Sequence, residues 1–304
     1  MAVPMRSTDF RAIVEPILTE EFNGIYDQRA DEWKQVFRQV TGTPRAYHEE
    51  PVLYGFGTAP ELPDGMPVTY EQGGVLYIKR YVYRVYGLGF ALTQVLVEDG
   101  DHIRIGSTYS RHLAQSLIET KETLAANILN RAFNGSYLGG DGASLISTSH
   151  PTVTGTSSNQ LTTSAALSQT SLEQMLIQIR NATDANGKRI NLTPVQLVLS
   201  PSNVFQGEVI LKSVLRTGTA NNDINPINSM GLLKQGQANL SRLTSATAWW
   251  VQTDAPEGLK LMMRRPLQKG MEGDFDTDSM RYKATERYDI GWTDWRSIFG
   301  TPGT

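Results

Sequence analysis

Cysteine is absent from this 304-residue chain, which excludes disulfides, thiolate zinc sites and cysteine nucleophiles together. Charge is scarce: charged residues make up 19%, against about 25% in a typical soluble domain. The 28 basic and 31 acidic side chains leave a net charge of −3, so the chain has no bulk attraction for polyanions. Histidine is limited to His48, His102, His112 and His150. No apolar run approaches the roughly 18 residues a membrane span needs, and the opening MAVPMRSTDF has no apolar stretch behind its arginine, so a cytoplasmic site of synthesis is expected. The signatures G-x-S-x-G, H-E-x-x-H and G-x-x-x-x-G-K-[ST] do not occur, and enzyme readings begin without support. No internal repeat is visible.

What is present describes a globular protein. Apolar residues are 39% and glycine adds 27 positions, enough for a real core. The length is about twice that of a usual domain, which predicts one large or two intimate domains.

Phe10, Ile13, Val14, Ile17, Leu18 and Phe22 fall at helical spacing, and Trp33, Val36, Phe37 and Val40 repeat the pattern. Two short amphipathic helices are expected, the first kinked or ended by Pro16 so that the segment behaves as an arm. Residues 51–74 are rich in glycine and proline, a long excursion with little to fill a core. Residues 75–86, VLYIKRYVYRVY, then read as one strand of a projecting hairpin. An isolated hairpin is marginal in water, so this one either lies on its own domain or, given its tyrosines and arginines, meets a partner.

The most regular element spans 107–133, with Ser107 as N-cap and Leu113, Leu117, Leu124, Ile128 and Phe133 on one stripe. Residues 135–170 are poor in charge and dense in glycine, serine and threonine, which reads as a surface loop. A helix from Ser171, a short buried strand at 193–203 and a helix from Val204 follow, an α+β pattern. Residues 217–247 are irregular, and the segments 249–251, 259–263 and 279–298 supply the last strands.

Candidate chemistry is thin. Gly55-Phe56-Gly57-Thr58-Ala59-Pro60 starts like a dinucleotide loop, but proline holds the third glycine's place. Asp274, Asp276 and Asp278 open like a calcium loop, yet Ser279 and Thr285 stand where glycine and glutamate are required. His48-Glu49-Glu50 lacks a third metal ligand, so no metal and no cofactor is expected. His150, beside serines and downstream of Asp141, leaves open a cytoplasmic Ser/His hydrolase as the alternative from another class.

The order of parts carries more than any motif. The stretches YVYRVYGLGFALTQVLVEDG (81–100), GGDGASLISTSHP (139–151), VQLVLSPSNVFQGEVILKSV (195–214) and RYDIGWTDWRSIFG (287–300), with the long helix after the first, resemble the major capsid proteins of tailed bacteriophages, and among them the Mu-like major head subunits. The resemblance implies an α+β major capsid fold: an N-terminal arm (1–50), an extended loop hairpin (51–92), a peripheral domain (93–165 and 262–304) with spine helix 107–133, and an axial domain (166–261). It implies a non-enzymatic subunit that self-assembles into hexamers and pentamers of an icosahedral virion shell around double-stranded DNA, without sequence-specific binding and without a membrane. Assembly would take place in the host bacterial cytoplasm with a separate scaffolding protein, a portal and decoration proteins as partners. Tyr77, Lys79, Arg80, Tyr81, Tyr83 and Arg84 would make inter-subunit contacts. Another phage structural role, in tail or baseplate, is the second alternative. Some relatives join an extended-loop lysine to a neighbour's asparagine; here Lys79 is the only lysine between Lys34 and Lys121 and no asparagine follows Asn239, so a shell without covalent cross-links is expected.

Overall fold

The computed structural model describes residues 7–29, 31–93, 95–96, 102–216, 223–274 and 279–304. The first helix, α1 (Ser7–Tyr26), runs unbroken through Pro16. Pro16 is on the exposed side, and its cost of about 3 kcal/mol is offset by burial of Val14, Leu18 and Phe22 on the other. This segment is therefore a docked helix and not a loose arm. The second expected helix shrinks to a single 3₁₀ turn at Glu32–Gln35, because Trp33, Val36 and Phe37 reach a different core from the one that α1 covers.

Strand β1 (Arg38–Thr41) and β2 (Tyr47–Tyr54) follow. β2 pairs antiparallel with β3 (Gly74–Val82), from Tyr47 opposite Val82 out to Tyr54 opposite Gly74, so the hairpin begins at 47 and only residues 55–73 form its tip. The expected strand 75–86 is in fact two. It breaks at Tyr83, and β4 (Arg84–Thr93) leaves for another sheet. Tyr83 turns inward, its hydroxyl accepting the Thr43 amide at 3.1 Å. A Cβ on Gly42 would sit 2.5 Å from that hydroxyl oxygen, so any larger residue there would have to displace the Tyr83 ring.

The spine helix, α2 (His102–Asn130), starts five residues earlier than the sequence suggests and ends three earlier. Ser107 is thus inside the helix and buried, not a cap. With 29 residues it is about 43 Å long and serves two cores. Leu113, Ala114 and Leu117 meet α1, whereas Ala125, Ala126 and Leu129 meet Trp33, Val36 and Phe37.

After α2 come β5 (His150–Thr152) and β6 (Gly155–Ser157), then α3 (Gln169–Arg180), capped by the Ser168 hydroxyl. β7 (Pro194–Leu199), α4 (Val204–Lys212), the single turn α5 (Pro226–Ser229), β8 (Gln237–Asn239) and β9 (Trp249–Thr253) build a second unit. Of the irregular 217–231 segment, residues 217–222 lie outside the described residues. The long strands β10 (Leu259–Asp274) and β11 (Ser279–Trp292) precede β12 (Ile298–Thr301).

Among the described residues two four-stranded sheets form, ordered β1-β10-β11-β4 and β12-β9-β7-β8. The first carries α1 and α2 on one face. The last strand joins the second sheet, pairing Ile298–Thr301 with Trp249–Gln252, so residues 298–301 complete the unit expected to span only 166–261. Asp274 pairs with Ser279, which places Ser279 and Thr285 in a strand and leaves no room for a twelve-residue calcium loop; Asp276 and Asp278 lie outside the described residues. Residues 135–170 are no surface loop, since Leu145, Ile146, His150, Asn159 and Leu161 are all buried. Among the described residues no helix is long and apolar enough to cross a membrane.

A buried polar cluster joins α1, α2 and the first sheet. Lys121 forms an ion pair with Glu286 at 2.7 Å and donates to the Tyr26 hydroxyl at 2.6 Å, and that hydroxyl donates to Glu286. Burial and the adjacent Glu286 carboxylate push the Tyr26 phenol up, which keeps it a donor. Replacing Lys121 by methionine removes the cation paired with buried Glu286 and leaves it the Tyr26 hydroxyl, so Lys121→Met is expected to cost about 3–5 kcal/mol in urea unfolding. A loss below about 1 kcal/mol would show that water reaches Glu286.

Candidate functional site

The hairpin is a strap along its own chain for most of its length. At its base the Tyr81 hydroxyl meets Thr293 Oγ1 at 2.7 Å and the Tyr77 hydroxyl donates to the Thr293 carbonyl at 3.0 Å. Thr293 in turn donates to Glu50, which pairs with buried Lys260 at 2.6 Å. Burial alone would raise the Glu50 carboxyl, but the Lys260 ammonium and the Thr293 hydroxyl bonded to it hold it below the usual carboxylate range. At the far end Asn186 Nδ2 donates to the Gly55 carbonyl at 2.7 Å. Gly140 of the Gly-Gly-Asp-Gly loop fits beneath: a Cβ there would lie 2.9 Å from the Tyr77 ring and 3.2 Å from the Ile78 carbonyl.

This geometry divides the six residues expected at an inter-subunit contact. Tyr81 (0% exposed) and Tyr83 (4%) are buried with Met262 and Val40 of their own chain and present no surface to a neighbour. Tyr77 is half-buried on Thr293. Lys79 is half-buried with its ammonium 4.8 Å from the centre of the Trp292 ring, and burial draws it below the usual lysine range. Arg80 is exposed, paired with Glu49 at 2.6 Å and stacked over Tyr47. Arg84 is exposed. Serine at Tyr81 or Tyr83 would therefore act first on folding.

The tip adds a run of free apolar surface, with Phe56, Leu62, Met66, Val68 and Tyr70 all exposed, Tyr70 to 92%; single exposed apolar residues such as Phe205 and Val214 lie elsewhere on the chain. Sequence reading passed over the tip residues because glycine and proline dominate the stretch. The usable signal was the alternation of large apolar side chains with prolines in a segment that has no periodicity of its own.

His150 occupies the other polar site. Its Nδ1 lies 2.6 Å from Asp141 Oδ2 and its Nε2 3.0 Å from Asn159 Oδ1, with the imidazole fully buried and stacked on Trp295 at 4.1 Å. The Asn159 amide is oriented by donation from Nδ2 to the carbonyls of Leu145 and Ile298 at 2.8 and 2.9 Å. Both ring nitrogens therefore face oxygen acceptors, an arrangement that the imidazolium satisfies fully and either neutral tautomer at one nitrogen only. Nε2, where a hydrolase would place its serine, is held by the amide. The His–carboxylate pair is present, and the other ring nitrogen faces an amide oxygen in place of a serine hydroxyl. Among the described residues no group of three histidine or carboxylate side chains could hold a metal.

The sequence model of the family described as phage capsid protein matches residues 80–300, a span that takes in the spine helix and strands β4 to β11. The chain belongs to the phage capsid protein family. Solved structures share the fold. A virus-like particle from Pyrococcus furiosus aligns over 94% of this chain and 98% of its own, at 11% identity and a TM-score of 0.54. The mature capsid of bacteriophage PhiM1 covers 90% and 87% at 12% identity and 0.56, and a phage-related protein from Bordetella bronchiseptica RB50 covers 95% and 96% at 12% and 0.52. No curated protein matches. The protein is a structural capsid subunit, not a tail or baseplate component. In such a subunit His150 is a structural clasp that ties the 139–143 loop, the 150–159 hairpin and the Trp295–Ile298 turn together.

Proposed function

We propose that this capsid subunit assembles into hexamers and pentamers of an icosahedral phage shell that encloses double-stranded DNA without reading its sequence. The observation that carries the reading is the hairpin tip, whose large apolar side chains lie outside every hydrophobic cluster among the described residues and which is held out by a strap anchored at both ends. Heterologous contacts of this kind close rings and then a curved shell. The β12-β9-β7-β8 unit, close to the expected 166–261, is read as the axial domain, and the α1–α2 layer on the first sheet as the peripheral domain. Scaffolding is read as a separate protein, with portal and decoration proteins as further partners and assembly in the host cytoplasm. The subunit is read as lacking catalysis, cofactor and metal.

Negative-stain microscopy of the chain produced with its scaffold tests this. Closed particles are expected, and a chain that stays monomeric at high concentration would refute the proposal. The same particles, boiled in detergent, are expected to give one band near 33.7 kDa. The candidate amine, Lys79, packs over its own Trp292 at the hairpin base, and the C-terminal strands hold no asparagine. A ladder of multimers would refute the absence of cross-links.

A further inference from the structure

The hairpin tip and a cleft at the hairpin's base carry opposite charge. Residues 55–73 contain Glu61, Asp64 and Glu71 and no lysine or arginine, so they account for the whole net charge of −3 and the rest of the chain balances at 28 of each sign. Glu71 is engaged within the tip, where it accepts the Gly57 amide at 2.6 Å. Glu61 and Asp64 are exposed, beside exposed Leu62 and Met66, and form no ion pair among the described residues.

The cleft, of about 420 Å³, opens between the end of α2, the start of β4 and the end of β11. Lys79, Arg84 and Arg131 line it against one carboxylate, Asp289. The Asp289 oxygens accept the Val82 and Ile290 amides at 2.9 and 3.1 Å, and no carboxylate forms an ion pair with any of the three cations among the described residues. Ile128 and Leu138 add apolar wall. The chain's own tip does not fill this cleft. Lys79 is five residues back along β3 from Gly74, where the tip begins, which separates the two by roughly 16 Å of extended strand leading away.

We propose that the acidic tip of one subunit docks in the cationic cleft of a second copy, Glu61 and Asp64 meeting Arg84 and Arg131. Two free carboxylates match the cleft's surplus of two positive charges, and Leu62 and Met66 meet Ile128 and Leu138. The contact is head-to-tail, since tip and cleft are different surfaces of the same chain, and so it propagates around a ring. Opposite charge selects the register, and like charge brought together at a docked interface costs several kcal/mol. The inference rests on the shell reading and names the partner surface within it.

Three full-length variants, produced with the scaffold beside the unaltered chain, test it: Glu61→Lys with Asp64→Lys, Arg84→Glu with Arg131→Glu, and all four together. Each reversal alone is expected to lower particle yield roughly tenfold or more, and the fourfold variant to recover most of it. Circular dichroism and the urea midpoint are expected to stay at the unaltered values, because all four positions are exposed. Normal yield from the tip reversal overturns the inference, and if the cleft reversal lowers the yield while the tip reversal does not, the cleft is assigned to another protein. A folded fourfold variant that stays unassembled overturns the pairing. Particles absent from the unaltered chain would overturn the shell reading itself, a result distinct from these.

Discussion

Deletion of residues 57–72 is expected to abolish shell formation while leaving the subunit folded. The shortened hairpin keeps every β2–β3 pair and closes through Gly55, Phe56 and Gly73, a three-residue connection of common length. No residue of the tip belongs to any hydrophobic cluster among the described residues, so no burial in those clusters is lost. Shortening the loop from 19 residues to three lowers its closure entropy by about 1–2 kcal/mol in favour of the folded state. The urea midpoint of the variant should thus equal or slightly exceed that of the unaltered chain, and microscopy should show no particles. A lost cooperative transition would mean that the tip is part of the subunit's own core. Normal particles would mean that assembly uses another surface.

His150→Ala is expected to destabilise the subunit by about 3–5 kcal/mol, the cost of breaking a buried pair from one side. The Asp141 side chain is only 2% exposed, and without the imidazole its charge loses its partner in the core. The stacking on Trp295 at 4.1 Å goes too. Asn159 stays in place through the carbonyls of Leu145 and Ile298, so the loss should concentrate on Asp141. The double variant Asp141→Asn, His150→Ala should then recover part of the stability in urea unfolding, because the stranded charge is gone. A single variant within about 0.5 kcal/mol of the unaltered chain would show that the clasp is not holding these segments.

Where sequence and structure part company, the difference follows the range of the forces involved. The spine helix was legible because Leu113, Leu117, Leu124 and Ile128 repeat within one element, and local period reports local structure. Its start was not, since Ser107 looks like a cap and is buried by contacts from elsewhere. The stretch 75–86 reads as one strand because its β-branched and aromatic run is continuous. The break at Tyr83 comes from β11, about 200 residues away, which takes β4 by pairing Arg84 with Tyr288 and Thr93 with Ser279.

His150 and Asp141 were legible as a pair, and the sequence left their chemistry open between hydrolase and scaffold. The structure adds Asn159, which occupies Nε2 and whose own orientation depends on carbonyls 14 and 139 residues distant. Composition by itself determined a low-charge, cysteine-free globular chain, and the order of an apolar first segment, a hairpin and one long helix pointed to the class of protein through its resemblance to tailed-phage major capsid proteins. Only the tertiary structure decided which tyrosines are core, which face of the hairpin is a strap and which residues remain for a partner. Tyrosine and arginine suit a core and an interface equally well, so burial, a property of the whole chain's packing, is what separates them.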